Sequence, residues 1–236
     1  MADRIVNLGE PGGRPPGPSL WQLPGVLAKE VHPATGPHRM RRQNQMTHEE
    51  VIAYNLRGGG NEFTEFETAQ YDRVEKARAI IAKIISERIE TPAIIIEPGC
   101  STGDISGFFS DEHAVEGIDV TPGAARAARQ KWPRMKVAEI EIERVEPHPC
   151  DILVLCEFLE HITDPVGFVQ AWLPLARYVV IGHPLVGDGS DPEPGHPWAY
   201  YDTDFANWFP MGGHELRQAW EFPMGYWMVI GWGERT

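Results

Sequence analysis

Cysteine is scarce in this 236-residue chain, with only three residues, at 100, 150 and 156. An odd number without framework spacing argues against a disulfide scaffold. It points instead to buried thiols in a reducing, cytoplasmic compartment. Long apolar runs are also missing: none approaches the ~20 residues of a membrane span, so no membrane partner is expected. The opening Met1-Ala-Asp-Arg-Ile-Val-Asn7 has no signal-peptide core. Positive charge is short, with 21 Lys and Arg against 34 Asp and Glu and a net charge of −13. Such a polyanion repels extended duplex nucleic acid. The single basic cluster, His38-Arg-Met-Arg-Arg42, reads as a solvated surface run. No Gly-Lys-Ser/Thr ends a phosphate-cradling loop, which excludes a P-loop.

What the chain does contain is centred on Ile94-Ile95-Ile96-Glu97-Pro98-Gly99-Cys100-Ser101-Thr102-Gly103-Asp104. Three β-branched residues stopped by an acid, a proline and a glycine predict a fully buried parallel strand ending in a tight turn. Gly99 and Gly103 permit close backbone approach, and a helix is expected over about 103–110. A strand, a small-residue loop and a helix start form a nucleotide-sized pocket at the carboxyl edge of a sheet. The dinucleotide fingerprint fails, because Ser101 and Asp104 stand where glycines would be needed.

The rest of the pattern is that of an α/β chain. Residues 1–64 are expected to be an extended Gly/Pro-rich arm and linker, and 65–236 one domain. Val74, Ala77, Ile80, Ile81, Ile84 and Ile85 recur at three- and four-residue steps, predicting an amphipathic helix from about Glu65. Ala114-Val-Glu-Gly-Ile-Asp119 reads as a second strand, ending in an acid 20 residues after Gly99. An acid there can accept both ribose hydroxyls of a nucleoside; capping the helix that opens at Pro122 is its other reading. Met135–Glu139, Asp151–Cys156 and Tyr178–Gly182 are further strands, with a helix over about 165–175 between the last two. Thr203–Phe209 is expected as a short helix capped by Thr203. Gln218–Phe222 and Tyr226–Trp232 form a closing hairpin.

The motif acid-x-Gly-x-Ser-x-Gly at 97–103 resembles motif I of the class I S-adenosylmethionine (SAM) methyltransferases. With Asp119 and Glu157-Phe-Leu-Glu160-His161-Ile-Thr-Asp164-Pro165, about residues 65–185 are similar to the group that includes the ubiquinone-pathway O-methyltransferases. The resemblance implies a Rossmann-like, seven-stranded, mostly parallel sheet with helices on both faces and an antiparallel C-terminal hairpin. It implies SAM as cofactor, held by Glu97, Gly99, Cys100, Ser101, Gly103, Asp119, Val120, Cys156 and Glu157. Glu139 and Ile140 would lie beside the adenine, with Glu141 competing for the place of Glu139.

For catalysis three histidines, His161, His183 and His196, stand at strand ends or in the loop after the fifth strand. Histidine can take a proton from a hydroxyl acceptor near neutral pH. Of these, His161 is preferred, with Glu157 and His196 beside it. Glu157, Glu160, His161 and His196 could alternatively hold a divalent metal (Mg, Mn or Zn), as a similar segment does in the ubiquinone-pathway enzymes and in small-RNA 3′-end methyltransferases. The expected activity is methyl transfer to a small molecule, at oxygen. An RNA or nucleotide-terminus methyltransferase and a non-catalytic SAM-binding module are the alternatives. Residues 187–201, rich in Gly, Pro and Asp, are expected to act as a lid over the acceptor.

Overall fold

A computed structural model describes residues 41–42, 47–58, 68–90, 92–185, 197–200, 202–223 and 227–236. The lid expected at 187–201 lies mostly outside these residues, as does His196. In chain order the elements begin with β1 (Arg41–Arg42), α1 (His48–Gly58) and α2 (Thr68–Arg88). There follow β2 (Ile94–Pro98), β3 (Ala114–Asp119), α3 (Pro122–Lys131), β4 (Lys136–Glu139) and β5 (Cys150–Cys156). The last are α4 (Pro165–Trp172), β6 (Ala176–Leu185), β7 (Trp198–Ala199), α5 (Asp202–Met211), β8 (His214–Pro223) and β9 (Trp227–Arg235).

Seven strands form one sheet in the order β4-β3-β2-β5-β6-β9-β8. The pairs from β4 through β6 are parallel, and β9 runs antiparallel between β6 and β8. The order reverses between β2 and β5, which leaves a crevice beyond their carboxyl ends. The central runs are apolar because both faces are covered. On one face Val74, Ala77, Ile80, Ile81 and Ile84 of α2 pack with Ile95, Val154, Val180 and Ile230. On the other, Val169 and Trp172 of α4 and Phe205, Trp208 and Phe209 of α5 cover Ile96, Leu153, Leu155 and Ile181. The apolar face of α2 is thus the one its periodicity marks.

Four local expectations need correction. Ile94 is not buried; it is 46% exposed at the strand's start, and its amide donates to Asp151 Oδ2 at 2.8 Å. The helix expected over 103–110 is a chain of turns closed by a short 3-10 turn at Gly107–Phe109. Gly103 is left-handed, at φ +74°, and the Ser106 amide donates to Glu97 Oε2 at 3.1 Å, so the segment serves the strand end rather than a regular ladder. Thr203 is not the cap of α5, which starts at Asp202. Finally, part of the segment read as arm and linker is an ordered helix, α1. Thr47 and Glu50 make a reciprocal capping box at its start, Thr47 N donating to Glu50 Oε2 at 2.8 Å and Glu50 N to Thr47 Oγ1 at 3.3 Å.

Candidate active site

A cavity of about 350 Å³ opens at the switch point. Gly99 and Ser101 form one wall, Asp119 to Thr121 the next, Ile140 to Glu143 a third, and Glu157, Phe158, His161 and Ile162 a fourth. His48, Val51 and Ile52 of α1 complete it.

The loop after β2 is shaped by backbone geometry. Gly99 has φ +68°, and a Cβ there would stand 2.7 Å from Phe158 Cδ2. Its amide donates to Ile118 O at 2.7 Å. Ser101 is also left-handed, at φ 47°, and its amide donates to Asp119 Oδ2 at 2.8 Å. Asp119 Oδ1 accepts from the Thr121 amide at 2.7 Å. One carboxylate therefore ties the two loops together. Thr121, not Asp119, occupies the N-cap position of α3. Each Asp119 oxygen keeps a further lone pair, so a second acceptor role is chemically open. Burial raises the Asp119 pKa, against the lowering pull of its Thr121 and Ser101 bonds.

Glu97 lies beneath this loop, 3% exposed, and accepts from both the amide and the hydroxyl of Ser106. Burial pushes its pKa up to about 7, against the lowering effect of the Ser106 bonds and the Arg73 charge. Cys100 and Cys156 belong to the apolar core, and burial raises both thiols. Neither lines the cavity, so only their backbone could meet a ligand there. All three cysteines are buried and unpaired.

Val120, Ile140 and Glu157 line the cavity, whereas Glu139 does not. Its carboxylate is exposed and paired with Arg129 at 3.2 Å. Glu141 takes the lining position instead, because the chain turns inward after Ile140. Gly103 stands behind the loop, where a Cβ would meet Trp132 Cδ1 at 2.8 Å.

After β5 the chain turns sharply. Glu157 is left-handed, at φ 54°, its amide donates to Gly182 O at 2.8 Å, and its carboxylate pairs with Arg73 at 3.0 Å. Leu159–His161 form a short 3-10 turn. Glu157 therefore stands outside the helical turn expected to carry it together with Glu160 and His161. His161 lines the cavity, whereas Glu160 is 0% exposed. Among the described residues no group of three His, Cys, Asp or Glu is placed to hold a metal ion. His196, the fourth of the implied ligands, lies outside those residues. His183 is also not a cavity residue. It is fully buried, its ring 4.7 Å from Tyr200 and 5.5 Å from Phe205, and burial lowers its pKa to about 4. Its place is in the packing.

Two contributors escaped the sequence reading. Arg73 stands on the apolar face of α2, four residues before Ala77 and seven before Ile80, and nothing in the helical pattern marks it as the partner of an acid. Helix α1 was hidden by its Gly/Pro-rich neighbourhood, although Thr47-x-x-Glu50 ahead of Val51 and Ile52 is a helix-start signal.

Residues 96–177 match a family model described as a methyltransferase domain. A ubiquinone biosynthesis O-methyltransferase of Neisseria meningitidis serogroup A is 29% identical over 93 residues, covering 35% of this chain and 39% of that protein. One from Nitrosospira multiformis is 29% identical over 91 residues, covering 35% and 38%. The chain thus matches well under half the length of these curated relatives. Among solved structures, magnesium protoporphyrin IX methyltransferase of Synechocystis PCC 6803 with bound S-adenosylhomocysteine (SAH) is similar with a TM-score of 0.65. The identity is 13%, over 79% of this chain and 98% of that one. A Burkholderia thailandensis 1,6-didemethyltoxoflavin-N1-methyltransferase, with SAH and 1,6-didemethyltoxoflavin bound, gives 0.60 at 15% identity, covering 89% and 95%. The fold is that of a Rossmann-like methyltransferase. Residues 96–177 thus match a methyltransferase domain, set in the fold that these SAH-bound structures share. Among the described residues no helix is long and apolar enough to cross a membrane.

Proposed function

We propose that this protein transfers the methyl group of SAM to a hydroxyl oxygen of a small molecule. The observation that carries the reading is the convergence of the Gly99–Ser101 loop, Asp119 and the Glu157–His161 turn on one cavity at the switch point. In this reading Asp119 accepts the ribose hydroxyls, and Ile140 and Glu141 receive the adenine. Glu97, Gly103 and the backbone of Cys100 and Cys156 shape the floor. Arg73, half-buried beside Glu97 and Glu157, supplies the cation that the methionine carboxylate needs. The cavity wall carries the carboxylates Asp119, Glu141, Glu143 and Glu157, a field that suits a sulfonium and opposes a polyanionic acceptor.

The reaction is an in-line displacement, helped chiefly by holding nucleophile and methyl at attack distance. The acceptor oxygen bonds to the methyl carbon, the S–CH₃ bond breaks, and its electron pair stays on sulfur as SAH. The hydroxyl proton passes to His161, which lies on the turn beyond β5 where the methyl is presented. The three buried thiols support a cytoplasmic location. Incubation with methyl-labelled SAM and fractionated metabolite and RNA pools tests the reading. Label should enter a low-molecular-weight hydroxyl compound, and His161→Ala should slow transfer about 10²–10⁴-fold. Label appearing in RNA, or no turnover despite cofactor binding, would refute it.

A further inference from the structure

Helix α1 has no part in the matched methyltransferase domain, which begins at residue 96, yet three of its residues line the cavity. Its first residue, His48, stands between two acids of the opposite wall. Nε2 lies 3.7 Å from Glu141 Oε2 and Nδ1 lies 3.6 Å from Glu143 Oε1. These distances exceed a hydrogen bond, so the attraction is one of charge, present when the imidazole is protonated. One turn on, Val51 is 2% exposed, which seats the helix by burial as well. The chain just before α1 is also anchored. Arg41 and Arg42 pair antiparallel with Ala199 and Trp198. That strand is in turn pinned to the His161 turn, Trp198 Nε1 donating to Ile162 O at 3.0 Å and Tyr200 OH to Leu159 O at 2.8 Å.

We propose that α1 is a wall of the cofactor site contributed by the N-terminal segment, and that His48 is its positioning residue, clamping the helix to Glu141 and Glu143 across the bound adenosine. The inference rests on the reading of this cavity as the SAM site. His48 does not itself contact the reacting atoms. It acts through the two glutamates, and it neutralises part of the acidic wall that would otherwise push α1 away. Arg144 shares that task, its Nε standing 2.9 Å from Glu141 Oε2, so Glu143 is the acid that depends most on His48.

The test is calorimetric titration of the full-length protein with SAH. His48→Glu should weaken SAH at least about tenfold, since it sets three carboxylates together. His48→Lys should stay within about threefold of wild type. Adding Glu143→Lys to His48→Glu should restore most of the affinity, which a merely structural residue would not allow. Hydrogen exchange supplies the second readout: amides of 48–58 should slow on SAH binding in wild type and far less in His48→Glu. Unchanged affinity in His48→Glu, or failure of the charge swap to restore it while the variants remain folded, would overturn the clamp but leave the cofactor assignment standing. Absence of any SAH binding by wild type would overturn both.

Discussion

The two turns that meet in the cavity leave adjacent central strands and are built by opposite means. The loop after β2 is held through its own backbone amides: Gly99 and Ser101 are left-handed, and their amides are spent on Ile118 O and the Asp119 carboxylate at the end of the neighbouring strand. The turn after β5 also contains a left-handed residue, Glu157, but distant side chains hold it. Arg73 comes from α2, Tyr200 and Trp198 from the segment after β6. A backbone-determined loop admits few residue types, so it shows in the sequence. A turn held by remote side chains leaves no local trace of its partners.

This contrast can be broken at the loop with the largest expected effect. Gly99→Ala places a Cβ at a left-handed position and 2.7 Å from Phe158 Cδ2. Strain and overpacking together should cost about 2–5 kcal/mol, read as a lower denaturation midpoint with little or no SAH binding. A fully stable, binding-competent variant would show that the loop's geometry is not what fixes the site.

Next in size is the carboxyl under the loop. With its pKa raised from 4.5 to about 7, the buried Glu97 favours the folded state while protonated. That contribution is whole below about pH 4.5 and is lost as pH rises through about 7, a loss of up to about 3 kcal/mol. Asp119, raised by the same cause, adds a slope of the same sign. Urea denaturation of the ligand-free protein from pH 5 to 8 should show stability falling, and Glu97→Gln should flatten much of that fall. An equally steep fall in the variant would remove Glu97 from the account.

The smallest effect belongs to the other turn. Tyr200→Phe removes one buried hydrogen bond to Leu159 O and should cost about 1 kcal/mol, measured by the same denaturation. A loss below experimental error would mean that packing alone holds this anchor.

The same contrast explains what the sequence made legible. The isoleucine run, the alternation of apolar strands with helical stretches, and the Asp119 spacing all follow from local rules, and the sheet they predict is the one observed. Asp119, Gly99, Ser101, Val120, Ile140, Glu157 and His161 fall on the cavity because they sit at strand ends, a place the strand pattern itself defines. Glu139 was chosen over Glu141 because alignment along a strand does not say where the chain turns inward. The 103–110 helix failed because Ser106 serves Glu97, a contact that helix propensity does not contain. Arg73 and α1 depend on long-range pairings. Arg73 meets an acid on another element, and α1 becomes a wall only once Glu141 and Glu143 are placed opposite it.

Direct titration tests whether Asp119 and the loop after β2 hold SAM. Wild-type protein should bind SAM and SAH, should not bind NAD, and should lose about 1.5–3 kcal/mol of SAH affinity on Asp119→Ala, roughly 10- to 150-fold. Preference for NAD, or equal SAH affinity in Asp119→Ala, would contradict it.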